Sequence, residues 1–189
     1  MSYQGPVMSG QAPSRILTPA SPNFSVSRHL LRTGTSIAGN SYAWEAANCP
    51  VALKFWLNRP ETVYQLGWEN GSGTMTDSCD VGIYDTGWAR KISTTSTARS
   101  GVSSLQFVDV ADTALTAGGY WLVMSNTGTT ANQQQGSTFY ANATMSALAG
   151  VYDSATTAEP LPDPLTNMAA AATFTHIPML VIALRSSPI

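Results

Sequence analysis

The sequence predicts an all-β fold, a jelly-roll-like antiparallel β-sandwich preceded by an extended N-terminal arm. Three observations predict it. From residue 51 onward, about eight short apolar or alternating runs recur at intervals of roughly ten residues, the spacing of sandwich and barrel strands. The connections between them are rich in Gly, Ser and Thr, and no run has the 3.6-residue period of an amphipathic helix. The aromatic residues Phe55, Trp56, Tyr64, Trp68, Tyr84, Trp88, Phe107, Tyr120, Trp121 and Phe139 fall almost entirely inside those runs, as core residues should. An immunoglobulin-like sandwich is the alternative, but the long connection before the last strand favours the jelly roll.

Each element has its own signal. "ALKFWL" (52–57) is apolar and stops before Pro60, while "TVYQLGW" (62–68) alternates with Tyr64, Leu66 and Trp68 on one face. "ENGSGT" supplies a turn, because Gly71 and Gly73 admit positive φ. "DVGIYD" (80–85) and "WARKIS" (88–93) read as a hairpin reversing at "TG". The polar "STTSTARSG" leads to the strand "SSLQFVDV" (103–110), and "ADTALTAGG" connects it to "YWLVMSN" (120–126). "TGTTANQQQG" reads as loop and "STFYANATM" (137–145) as strand. "AEPLPDPLTN", with Pro160, Pro162 and Pro164, must be loop. "TFTHIPMLVIAL" (173–184) is apolar on both faces, as a strand buried centrally or between subunits would be.

The first 50 residues differ in character, so the domain is expected over 51–189 and an arm and linker over 1–50. Pro6, Pro13, Pro19 and Pro22 remove backbone donors, and Arg15 is the sole charge before residue 23. "SVSRHLLRTG" reads as a turn or two of helix, and "SYAWEAANCP" is undecided. Tyr3, Pro6, Pro13, Arg15, Ile16, Leu17 and Phe24 are the candidate partner contacts of that arm. Arg15, Arg28 and Arg32 against Glu45 make it basic, whereas residues 51–189 carry six basic and ten acidic side chains. Opposite signs favour an arm lying on a neighbouring copy or a partner.

Only 11% of residues are Asp, Glu, Lys or Arg, against roughly 25% in an average soluble domain. Such a surface repels its neighbours weakly and suits a subunit packed against others. The net charge of −2 lacks the basic footprint of a nucleic-acid binder. The longest apolar run, "IPMLVIAL" (177–184), is far short of a membrane span, and "MSYQGPVMSGQAPSRILTP" lacks the pattern of a secretory signal. On that basis the sequons "NFS", "NGS" and "NAT" are expected to be coincidental.

Residues that could carry chemistry are few, and no catalytic, cofactor-binding or metal-ligating set is expected. His29 and His176 have no local nucleophile and orienting partner, and no metalloprotease, phosphate-loop, dinucleotide or nucleophile-elbow motif is present. Cys49 and Cys79 lack CxxC partners and read as free thiols, with a disulfide as the alternative. Asp77 with Asp80, or Asp109 with Asp112, could contribute to a Ca²⁺ site, yet Asp recurs in β connections simply to bond nearby amides. Trp44 and Trp88 are candidate glycan-stacking residues. The structural alternative is that Trp88 caps the sandwich and Trp44 anchors the arm.

The stretch "VGIYD" (81–85), its Ser/Thr/Gly loop, "LQFVDVADTALTAGGYWLVMSNTGT" (105–129) and the ending "PLP" (160–162) with "ATFTHIPMLVIALR" (172–185) resemble tailed-bacteriophage virion proteins. The resemblance covers roughly residues 50–185. It implies a non-enzymatic virion structural protein of the cement or head-decoration, fibre or minor tail type, with no catalytic residue. Within that group the nearly uncharged, proline-punctuated arm favours a capsid cement protein bound to the major capsid protein and assembled in the host cytoplasm, and the resemblance implies a homotrimer. A tail or head fibre component binding host-surface glycans is the other expectation.

Overall fold

A computed structural model describes residues 24–27, 30–33, 41–44, 46–74, 76–129, 132–138, 151–153, 159–170 and 176–186. They form two antiparallel sheets packed face to face, with no helix among the described residues. The larger sheet has the order β13(Ala169–Ala170)–β12(Val151–Asp153)–β4(Val51–Leu57)–β10(Gly118–Asn126)–β6(Ser78–Asp85)–β7(Arg90–Ser93), and β8(Thr97–Ala98) also pairs with β6. The smaller has the order β1(Phe24–Ser27)–β2(Leu30–Thr33)–β15(Leu180–Ser186)–β5(Glu61–Glu69)–β9(Leu105–Leu115). A short third sheet joins β14(His176–Pro178), β11(Asn132–Thr138) and β3(Ser41–Ala43). The long strands β4, β5, β6, β9 and β10 alternate between the two large sheets, as in jelly-roll-like windings.

The period of two puts one face of each strand into the core. Val51, Leu53, Phe55 and Leu57 of β4, Cys79, Val81 and Ile83 of β6, and Tyr120, Leu122 and Met124 of β10 face inward from the larger sheet. Val63, Leu66, Trp68, Leu115, Leu180, Ile182 and Leu184 meet them from the smaller. The alternation expected for Tyr64, Leu66 and Trp68 fails at its first member. β15 pairs Ala183 with Gln65 and Leu184 with Val63, so Tyr64 is a bulge residue and Val63 takes the inward place. Tyr64 instead carries the Arg185 guanidinium over its ring, 5.3 Å from the centroid.

The arm boundary also moves. Residues 24–44, expected in the arm, contribute β1, β2 and β3; β2 pairs with β15 and β3 with β11. Thr33, Tyr42 and Trp44 are buried in the body. The Thr33 hydroxyl donates to Pro178 O at 2.5 Å and accepts from Leu180 N at 2.8 Å, spanning the break between β14 and β15 at Met179. The connection expected over 111–119 is largely strand, because β9 runs on to Leu115. β11 lies in what reads as loop, and most of the strand expected over 137–145 lies outside the described residues.

Candidate functional site on the outer face of the larger sheet

Most outward faces of such a sandwich are polar, but that of the larger sheet is not. Lys54, Trp121 and Tyr84 lie side by side across β4, β10 and β6, and Ser125 lies beside Asp80. Residues 159–168 cross this face as a strap. Leu161 and Leu165 pack with Ala52, Tyr84, Trp121 and Val123 in a second apolar cluster. Polar contacts pin the strap along its length. Leu161 N donates to Asp80 Oδ2 at 3.0 Å, and Tyr84 Oη to Pro162 O at 2.5 Å. Arg90 donates from N to Asp163 Oδ1 at 2.9 Å and from Nη1 to Leu161 O at 2.6 Å. Leu165 N donates to Trp88 O at 3.0 Å. The prolines that forbid strand pairing here leave the backbone free to follow side-chain partners instead.

Under the head of the strap two carboxyl groups are buried together. Asp80 is fully buried; its Oδ1 accepts from the Thr94 hydroxyl at 3.1 Å and its Oδ2 from Leu161 N. Burial raises its pKa, and those hydrogen bonds and nearby Arg90 offset only part of the effect. Glu159 arrives from the strap, and burial pushes its carboxyl up to about 7. The Asp80 charge raises it further, while the Ser96 and Ser125 hydroxyls and the Asp80 amide face it and favour its charged form. Both Glu159 oxygens and the Ser125 hydroxyl are shut off from solvent.

The aromatic edge of this face is built on a tight turn. Asp85 Oδ1 accepts from Gly87 N at 2.9 Å and Ala89 N at 3.0 Å, while Lys91 Nζ holds the Asp85 carboxyl below the usual carboxylate range. The turn sets Trp88 at φ 67° and stacks its ring on Trp121, centroids 4.6 Å apart and 13° from parallel. Beyond Lys54, whose Nζ lies 5.5 Å from the Trp121 ring centroid, Trp56 is 43% exposed. A Cβ on Gly119 would lie 2.9 Å from the Trp56 ring, so this glycine admits the indole across β10.

A second exposed feature lies at the margin of the smaller sheet. β9 is its edge among the described residues, and Leu105 and Phe107 point outward from it, 46% and 37% exposed. Val102, 56% exposed, precedes them.

Of the two tryptophans expected to stack on glycan, Trp44 is 1% exposed and donates from Nε1 to Cys49 O at 3.1 Å, so it is a core residue. Trp88 is half-buried against Trp121 and caps the sheet face. Trp56, whose mid-run position predicts a core residue, is the exposed one. Its outward register between Phe55 and Leu57 was the available signal. Tyr3, Pro6, Pro13, Arg15, Ile16, Leu17 and His29 lie outside the described residues, and Phe24 opens β1. Cys49 and Cys79 are not joined in a disulfide, and burial raises the Cys79 thiol pKa well above its usual value. The proposed Asp109–Asp112 pairing dissolves: Gln65 Nε2 donates to Asp109 Oδ1 at 2.7 Å, and Asp112 pairs with Arg185. Among the described residues no three His, Cys, Asp or Glu side chains gather in one place. The partner that Asp80 does meet, Glu159, is far away in sequence. The chain matches no model of a known protein family, and no curated protein is significantly similar to it.

Proposed function

We propose that this protein is a non-enzymatic structural subunit of a tailed-bacteriophage virion, a cement or decoration protein that binds the major capsid protein and further copies of itself. The observation that carries this reading is the β9 edge, where Leu105 and Phe107 stand exposed on a strand that is the last of its sheet among the described residues, with exposed Val102 just before it. Isolated edges are normally shortened or charged to prevent pairing. An eleven-residue edge headed by apolar side chains suits burial against another subunit. The sparse surface charge and the sequence resemblance point the same way. A trimer bound to the capsid surface is the expected assembly. The test is to substitute Leu105→Lys with Phe107→Glu in the virus and count copies per particle by quantitative mass spectrometry. Hundreds of copies for the parent, with loss of occupancy for the double variant at unchanged melting temperature, support the reading. A handful of copies per particle overturns it.

Trp56 favours a second reading, a fibre component that binds host glycan. An exposed indole lying over Gly119 with Lys54 alongside presents a flat apolar face and a hydrogen-bond donor, the pairing a pyranose ring uses. Binding on a glycan array that disappears in Trp56→Ala would favour this reading over the first.

A further inference from the structure

We propose that the outer edge of β9 receives residues 13–19 of a neighbouring copy as an added antiparallel strand, with Arg15 opposite Asp109 and Leu17 opposite Phe107. This contact rests on the self-binding part of the proposed function. Asn70 N donates to Ser104 O at 2.9 Å, so Ser104, Gln106 and Val108 turn their backbone groups toward β5. Leu105, Phe107 and Asp109 therefore present theirs at the edge, where β9 is the last strand among the described residues. Their exposed side chains share the outer face of the sheet, two apolar and one acidic. On the opposite face Val108 and Val110 pack on the core and are only half-buried.

Residues 14–18, "SRILT", fit this edge position by position. In the antiparallel register Leu17 lies beside Phe107, Ile16 beside Val108 on the core side, and Arg15 beside Asp109. Arg15 is the sole charged side chain before residue 23, and residues 105–115 carry Asp109 and Asp112 with no basic side chain. A second β9 at this edge would bring only like charge to it. Pro13 and Pro19 would fall opposite Ala111 and Leu105, at hydrogen-bonding positions that a proline cannot fill, so the added strand ends where the prolines stand.

Chain length assigns the strand to another copy. Ser25, Arg32, Val181, Gly67 and Phe107 form one row across the smaller sheet. Phe24 is therefore level with Gln106, and a Thr18 placed opposite Gln106 would lie five strand spacings away from it, about 24 Å. Residues 18–24 span at most about 20–22 Å when fully extended. A chain's own arm falls short even by the straight path. An arm that reaches the next copy makes a head-to-tail contact, which can close as a ring, and the expected trimer is such a ring.

In the test, full-length Leu17→Cys and Phe107→Cys chains are mixed, oxidised mildly and run on a non-reducing gel. Each chain alone controls for the native Cys49, and a mixture of Ile16→Cys with Phe107→Cys controls for register. Directly opposed positions lie about 5.5 Å apart between Cα atoms, within disulfide reach. The expected result is a covalent pair from the Leu17→Cys mixture, well above the yield of every control. Sedimentation supplies a measurement that needs no cysteine. Arg15→Glu or Asp109→Arg should weaken self-association by about threefold or more, and the two together should restore it. A cross-link no stronger than its controls, or self-association indifferent to both charge reversals, overturns the docking. A cross-link that forms only within one chain carrying both cysteines shows an arm folded on its own edge, and overturns it as well. A chain that stays monomeric overturns the docking together with the self-binding reading. The virion reading fails separately, on copy number: a handful of copies per particle with the cross-link intact sinks that reading and leaves the docking in place.

Discussion

Trp88 stacks on Trp121 at 4.6 Å while its own backbone is held in the left-handed region, at φ 67°. For an L-residue that conformation costs roughly 1–2 kcal/mol, and a glycine would relieve it. The Asp85 carboxylate, the Leu165–Trp88 hydrogen bond and the indole stack together hold it there. The turn therefore trades local backbone strain for an aromatic cap on the sheet face.

Two substitutions separate the terms. Trp88→Ala loses the stack and keeps the strain; Trp88→Gly loses the stack and releases the strain. Both should be less stable than the parent, and the glycine variant should exceed the alanine variant by about 1 kcal/mol in urea denaturation. Trp121→Ala, which empties the floor of the same cluster, should cost about 3–5 kcal/mol. Equal stability of the two Trp88 variants would show that the left-handed turn stores no strain.

Asn70 is the polar hub at the other end of the sandwich. Its Oδ1 accepts from Trp68 Nε1 at 3.0 Å and from Arg99 Nε and Nη2 at 3.1 and 2.9 Å. Its Nδ2 donates to Ser100 O at 2.6 Å and Gln106 Oε1 at 3.2 Å. Burial lowers the Arg99 pKa, so a buried guanidinium depends on this amide. Asn70→Ala should destabilise by about 3 kcal/mol or more, since the loss includes hydrogen bonds to a charged group. Asn70→Asp keeps the acceptor but loses the Nδ2 donors, and should fall between parent and alanine. A chemical melt in which Asn70→Ala matches the parent would remove the hub from the account.

Much of the fold was legible in the sequence, because strand periodicity and turn chemistry are local. β4, β5, β6 and β10 lie where alternation and glycine turns place them. What escaped has a common cause in long-range pairing. The segment 111–115 reads as a connection because Asp112 and Thr113 are turn formers, yet β5 provides a ladder that outweighs propensity. The bulge at Tyr64 changes which side of β5 is inside, and only the pairing with β15 reveals it. β2 and β3 carry no strong strand signal in sequence and are strands through their pairing with β15 and β11. The site was least legible. The prolines of 159–168 announce a loop, but nothing nearby says that Glu159 will be buried beside Asp80, or that Trp56 will be the exposed indole.

Gly67 is a glycine in the interior of β5. A Cβ there would lie 2.6 Å from Gln106 O and 2.9 Å from Phe107 Cδ1, so β5 and β9 approach closely and the Phe107 ring folds over the gap. Gly67→Ala should cost about 1–3 kcal/mol by overpacking. Adding Phe107→Ala should not restore stability, because the nearer obstacle is backbone. Full rescue in the double variant would mean that the ring, and not the strand, sets the spacing.

The buried carboxyl pair gives stability an unusual pH dependence. Glu159 titrates at about 7 in the folded chain against its ordinary value of 4.5, and the Asp80 pKa is raised in the same direction. The folded state therefore holds protons that the unfolded state releases. The stabilisation is fully present below about pH 4.5 and is lost as pH rises through about 7. Asp85, whose pKa Lys91 depresses, acts with the opposite sign and only at lower pH, where protonation weakens the turn. The urea midpoint should fall between about pH 5 and 8, and Glu159→Gln should flatten most of that decline. A parent midpoint that is level over this range would mean that the Glu159 carboxyl is hydrated, and would remove the physical basis for the buried pair.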